Sequence, residues 1–137
     1  MYNVEVSPPE ELAAAASMKI HRWDDVEHES MSEGIARRVI HSERMTTARI
    51  FVKKGGVVPR HSHDSEQMSH VLEGRLLFEV DDGSREAGPG EVVEIPSNEP
   101  HRVVALEDSV AMDVFAPVRG DWLSGDDAYL RNPSGDK

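Results

Sequence analysis

Two histidines one residue apart, His61 and His63, stand in the stretch RHSHDSEQMSHVLEG, residues 60–74. On a strand, side chains alternate faces and each residue rises ~3.3 Å, so these two point the same way with Cβ atoms roughly 7 Å apart. At that separation two imidazoles can converge on one ion, at zinc–nitrogen bonds of roughly 2.0–2.1 Å. Gln67 follows four positions on, a neutral amide in a chain rich in carboxylates. A second group lies in DVFAPVRGDWL, residues 113–123. If the run before Pro117 is a strand, Asp113 and Phe115 share one face. An inward Asp in an aliphatic interior is costly unless it is paired or functional. Pro117 ends that run, which puts Arg119 at the mouth of any cavity that Asp113 faces.

Such side chains need a rigid frame, and the pattern of the chain supplies one. From Ile35 onward, short β-type runs alternate with turn signals. The runs are 35–41, 46–53, 57–63, 67–72, 75–81, 84–87, 91–95, 100–106 and 110–116. Gly55-Gly56, Asp82-Gly83, Gly88-Pro89-Gly90 and Pro96-Ser97-Asn98 punctuate them. About nine strand-length segments with no helix among them predict an all-β fold, an antiparallel jelly roll or barrel. Residues 1–34 read as an N-terminal extension. Within it, Ser7-Pro8-Pro9-Glu10 carries the cap, first-turn proline and capping box of a short helix start. Residues 24–29 read as polar connector, residues 35–123 as the barrel, and residues 124–137 as a polar, mobile tail.

Composition narrows the function. The chain has 137 residues, 38% apolar but 5% aromatic, which fits one domain with an aliphatic core. Its formal charge of −11 argues against nucleic acid as a partner, since phosphate binding needs a basic footprint. No apolar run approaches the roughly 18 residues that span a bilayer, so no membrane partner is expected. There is no cysteine and no secretion-type leader, which makes a cytoplasmic protein the expected reading. Small barrels leave strand edges open, and open edges predict a homodimer.

The spacing carries a resemblance. Gly55, five residues, His61-x-His63, three residues, Gln67, six residues and Gly74 form one block. Gly90, five residues, Pro96, and then His101 form another. These blocks resemble the two motifs of the cupin superfamily over roughly residues 35–120. The chain departs from the usual pattern at Gln67, where Glu is usual, at Asn98, often Gly, and at Ala105, often Asn. The resemblance implies a small cupin barrel with one divalent metal ion held by His61, His63, Gln67 and His101. The Asp-x-Phe-x-Pro-x-Arg run is similar to that of small cupins that convert 4,5-unsaturated uronates to linear keto forms. That likeness implies catalytic roles for Asp113, Phe115 and Arg119 at the matching spacing.

Three imidazoles and an amide leave the full +2 charge of an ion uncompensated, which makes a stronger Lewis acid and a positive well for an anion. Three nitrogens and one oxygen suit Zn, Ni, Cu, Fe or Mn. The expected activity is a metal-dependent tautomerase or isomerase acting on a small acidic sugar or keto acid. In that scheme Asp113 moves a proton, Arg119 helps hold a carboxylate, and Phe115 and Ser69 line the pocket. A cupin dioxygenase using Fe(II) and a non-catalytic metal- or small-molecule-binding module fit the same ligands. An Asp–Arg pair that merely pins the last strand is the structural alternative for the C-terminal run.

Overall fold

The computed structural model describes residues 17–131. The expected helix at Ser7 lies outside the described residues. Among the described residues, ten strands form two antiparallel sheets. They are β1 (Glu29–Ser32), β2 (Ile35–His41), β3 (Thr46–Val52), β4 (Val57–His61), β5 (Glu66–Glu73), β6 (Leu76–Val80), β7 (Gly83–Ala87), β8 (Val92–Ile95), β9 (His101–Ala105) and β10 (Ser109–Ala116). One sheet has the order β1-β2-β3-β10-β5-β8 and the other β4-β9-β6-β7. Two short helices, α1 (Gly120–Ser124) and α2 (Ala128–Arg131), follow. The all-β jelly roll expected from the turn spacing is what the chain forms. No helix among the described residues is long and apolar enough to cross a membrane.

Alternation along the strands decides what faces inward. In β5, Gln67, Ser69 and Val71 are buried while Glu66, Met68 and Leu72 are exposed. In β9 the buried series is His101, Val103 and Ala105, and in β6 it is Leu76 and Phe78. The register then sorts these rows along the barrel axis. Gln67 lies opposite Phe115, Ser69 opposite Asp113, and Val71 opposite Ala111. His101 lies opposite His61 on one side and Val80 on the other, and Val103 lies opposite Phe78. The inward rows therefore run from polar side chains at one end to hydrocarbon at the other. The hydrocarbon end is a buried cluster that includes Val71, Ala87 and Ala105, with Val52 and Leu76 on its cavity side. The polar end is left as a lined cavity.

Three expectations need correction. The connector read at residues 24–29 holds a single 3-10 turn at Trp23–Asp25, and its last residue begins β1, which pairs with β2. That strand escapes a hydrophobic pattern because Met31 is its one buried apolar residue. The run read as 57–63 ends as a strand at His61. Pro59 offers no N–H, and the pairing register with β9 shifts between Val58 and His61. The tail expected to be mobile from Ser124 is docked through Arg131. Asp127 and Leu130 are buried, and Asp127 accepts hydrogen bonds from Arg37 Nη2 at 2.7 Å and Arg131 Nε at 3.2 Å. Polar composition suggested solvent there, but the carboxylate has a buried guanidinium to meet.

Two glycines of the sequence blocks, Gly74 in the first and Gly90 in the second, differ in why they are glycines. Gly74 and Gly90 both hold positive φ, 84° and 90°. A Cβ at Gly74 would lie 2.3 Å from both the Asp108 carbonyl oxygen and Ser109 Oγ, whereas one at Gly90 meets nothing within 4 Å. Gly90→Ala is expected to cost about 1–2 kcal/mol, the left-handed penalty alone. Gly74→Ala is expected to cost about 3 kcal/mol or more, because backbone must also shift. Urea denaturation of the two variants measures the difference, and equal midpoints would count against this assignment.

Candidate metal centre

His61 ends β4 and His101 begins β9, directly across the pair. His63 follows in the loop after β4, where its carbonyl oxygen accepts from the Asn98 N–H at 2.8 Å. The three rings come together, with centroids 4.3 Å apart for His61–His101, 5.1 Å for His63–His101 and 5.4 Å for His61–His63. One ring nitrogen from each lies within 4.8 Å of the others. The convergence read from the His-x-His spacing thus holds, although His63 is positioned by a loop.

Each ring is oriented by the backbone. His61 Nδ1 lies 2.8 Å from the Pro59 carbonyl oxygen, His101 Nδ1 2.8 Å from that of Glu99, and His63 Nδ1 2.8 Å from that of Ser65. A carbonyl oxygen only accepts, so in each ring Nδ1 carries the proton and Nε2 presents a bare lone pair. Burial, together with neighbouring positive groups, keeps the rings neutral. It pushes His61 down to about 3 and His63 down to about 4, and lowers His101 as well. Gln67 joins from β5. Its amide nitrogen donates to Ser69 Oγ at 2.8 Å and to Asp113 Oδ2 at 3.4 Å, which turns its carbonyl oxygen toward the histidines. Gln67 Oε1 then lies 3.1 Å from His63 Nε2.

That contact tests whether an ion fits. Two acceptors face each other with no proton between them, and His101 Nε2 is buried with no partner among the described residues. Converging lone pairs in a dry site repel, and a cation among them removes the repulsion. The donor set of three neutral nitrogens and one amide oxygen therefore fits a divalent ion.

The second constellation is assembled differently from expectation. Asp113 faces inward as expected. Its Oδ1 is sealed from solvent and has no partner among the described residues. Burial pushes its carboxyl up to about 6, against a smaller opposing effect of Ser69. Phe115 is buried and packs edge-on against His63, with centroids 5.7 Å apart. Arg119 does not sit at an open mouth. It is 2% exposed, lies in the cavity wall, and pairs through Nε and Nη2 with Asp121. The structural Asp–Arg pair exists, but its acid is Asp121, not Asp113.

Several residues of this wall gave no sequence signal. Trp122 lies between two guanidinium groups, Arg37 at 4.5 Å and Arg119 at 4.4 Å from its ring centroid. Tyr129, from α2, stacks on His61 with centroids 4.4 Å apart and planes 24° apart. Trp122 could have been suspected as one of the chain's two tryptophans, beside the Asp113 run. Tyr129 sits in a polar stretch with no period to mark it. Together these groups line a pocket of about 50 Å³, lined also by Val58, Phe78 and Val103 on its hydrocarbon side.

Known proteins can now be compared. The sequence model of the cupin domain matches residues 48–116. An RmlC-like cupin from Shewanella frigidimarina superposes with a TM-score of 0.71 at 24% identity, over 77% of this chain and 96% of its own. KdgF from Halomonas sp. gives 0.67 at 28% identity, over 72% and 94%. The polyketide cyclase RemF from Streptomyces resistomycificus gives 0.61 at 28%, over 73% and 79%. No curated protein matches the chain's sequence.

Because the three rings resist protonation, bound metal is expected to survive acid that would strip ordinary histidines. At pH 5.5, below the usual histidine value of 6.5, metal content after gel filtration should match that at pH 7.5. His101→Ala should lose the ion at both. The metal-free protein should lose stability as pH falls below about 6.5, because the unfolded chain takes up protons that the folded site refuses. Loss of half the metal by pH 5.5 would contradict the assignment.

Proposed function

The chain belongs to the cupin family, and from that premise we propose that it is a metal-dependent tautomerase acting on a small acidic sugar or keto acid. The observation that carries this reading is the unpartnered Asp113 Oδ1, on a residue that lines one cavity with His61 and His101, two of the three histidines whose ring nitrogens converge. A carboxyl raised to about 6 can both take and return a proton near neutral pH.

His61, His63 and His101 through Nε2, and Gln67 through Oε1, would hold a divalent ion. When bound, that ion supplies a Lewis acid that draws charge from a substrate oxygen. The chain's own groups do the rest. Asp113 accepts at Oδ1 the proton of the substrate's enol hydroxyl and returns it to the neighbouring carbon, which leaves the keto form. Ser69 and the Gln67 amide steady the carboxylate through Oδ2 and the hydroxyl beside it. Arg119 stands in the same cavity wall, with its Nε and Nη2 engaged by Asp121 and Tyr129. Asp121 already balances its charge, however, so Arg119 orients more than it attracts. Phe115 and the aliphatic side chains keep bulk water out. In a chain of net charge −11, a neutral Gln67 preserves the ion's attraction for an anion.

A panel containing a small 2-keto acid, presented as its enol, and a 4,5-unsaturated uronate tests the activity through loss of conjugated absorbance. Asp113→Asn is expected to lower turnover by roughly 10²–10⁴-fold, with metal content and thermal midpoint little changed. An Asp113→Asn protein that turns over normally, or a metal-loaded wild type inert to the whole panel, removes this reading. Gln67→Glu should keep the ion and weaken binding of an acid by about tenfold, as isothermal titration would measure.

A further inference from the structure

The four residues of α2 are anchored beyond what their number suggests. The Asp127 carboxylate just ahead of them is held by Arg37 and Arg131, and Leu130 is buried in the core cluster. Burial opposes the charge on Asp127, but the two arginines outweigh it and hold its carboxyl below the ordinary value. These anchors turn Tyr129 inward. Its ring covers His61, and its oxygen accepts hydrogen bonds from Arg119 Nη2 at 2.8 Å and Trp122 Nε1 at 3.1 Å. Stack and hydrogen bonds together fix the ring against His61.

The space that is left is small. The cavity beside His61, Gln67, His101 and Asp113 measures about 50 Å³. A single water needs roughly 10–15 Å³ of such space, and pockets for drug-sized ligands run to roughly 300–1,000 Å³. A three-carbon acid needs little more than what is present. A six-membered sugar ring needs more, and Tyr129 stands in the wall of that space.

We propose that Tyr129 is the specificity-determining residue of the site, its ring restricting access to small keto acids and excluding sugar-ring acids. The proposal rests on the tautomerase reading and narrows its substrate class. Its test needs binding alone. Cobalt(II)-loaded protein is titrated with pyruvate and with galacturonate, and the visible spectrum of the ion reports occupancy. Wild type and Tyr129→Phe, which keeps the ring, should bind pyruvate more tightly than galacturonate by about tenfold or more. In Tyr129→Ala, galacturonate affinity should rise by about tenfold while pyruvate changes less than about threefold. Tyr129→Leu should move the ratio in the same direction, and it decides the matter if the alanine variant does not fold. Equal affinity of wild type for the two acids, or an unchanged ratio once the ring is gone, overturns the proposal. A protein that binds no cobalt, or whose spectrum no acid perturbs in any variant, fails earlier, at the metal-dependent reading itself, and the proposal falls with it.

Discussion

Hydrogen bonds from three imidazoles to backbone carbonyl oxygens decide where the lone pairs of His61, His63 and His101 go. Once Nδ1 is committed to the main chain, Nε2 cannot carry the proton of a neutral ring, and burial keeps the rings neutral. The lone pairs then point at one another and at Gln67 Oε1. Such an arrangement is unfavourable by itself and is sustained by the surrounding barrel. The strand register, the Asn98 contact that holds the His63 loop, and the Ser69–Gln67 hydrogen bond all oppose its relaxation.

The barrel can afford this because its inward rows are graded. Hydrocarbon gathers at one end, and polar groups collect at the other, where strand ends and loops can reach them. The C-terminal segment completes the polar end with a layer of alternating charge and aromatic ring. Arg37, Trp122, Arg119 and Phe115 stack in turn, with Asp127 and Asp121 balancing the two guanidinium groups. Cation–ring contacts of this kind contribute about 2 kcal/mol when desolvated, against about 0.5–1 kcal/mol on a surface. They also explain how two arginines come to be buried in an acidic protein without pairing with Asp113. That carboxyl is thereby left without an ion-pair partner among the described residues.

Much of this was legible in the residues. The His-x-His spacing, the break signals at Gly88-Pro89-Gly90 and Pro96, and the parity of Asp113 with Phe115 all located inward positions, because a strand's two-residue period converts order into direction. Parity also placed Ser69 inward. Legibility ended where that period ends. His63 is aimed by a loop, β1 is a four-residue edge with one apolar residue, and α2 is held by a carboxylate contacting an arginine 90 positions away. No local pattern encodes a contact of that range. Arg119 was expected at a cavity mouth and lies in the cavity wall, and its partner was missed, since Asp121 two residues on is as plausible an acid in sequence as Asp113 and only packing distinguishes them.

The guanidinium–indole–guanidinium stack also gives the molecule a built-in optical sensor. Of its two tryptophans, Trp23 lies in the 3-10 turn ahead of β1 beneath Arg49, whereas Trp122 sits in the cavity wall with its indole N–H tied to Tyr129. Emission from Trp122 is exposed to quenching by any paramagnetic ion lodged among the imidazoles. Fluorescence of the unlabelled polypeptide can thus follow events at the cavity in real time, with Trp23 as an internal reference.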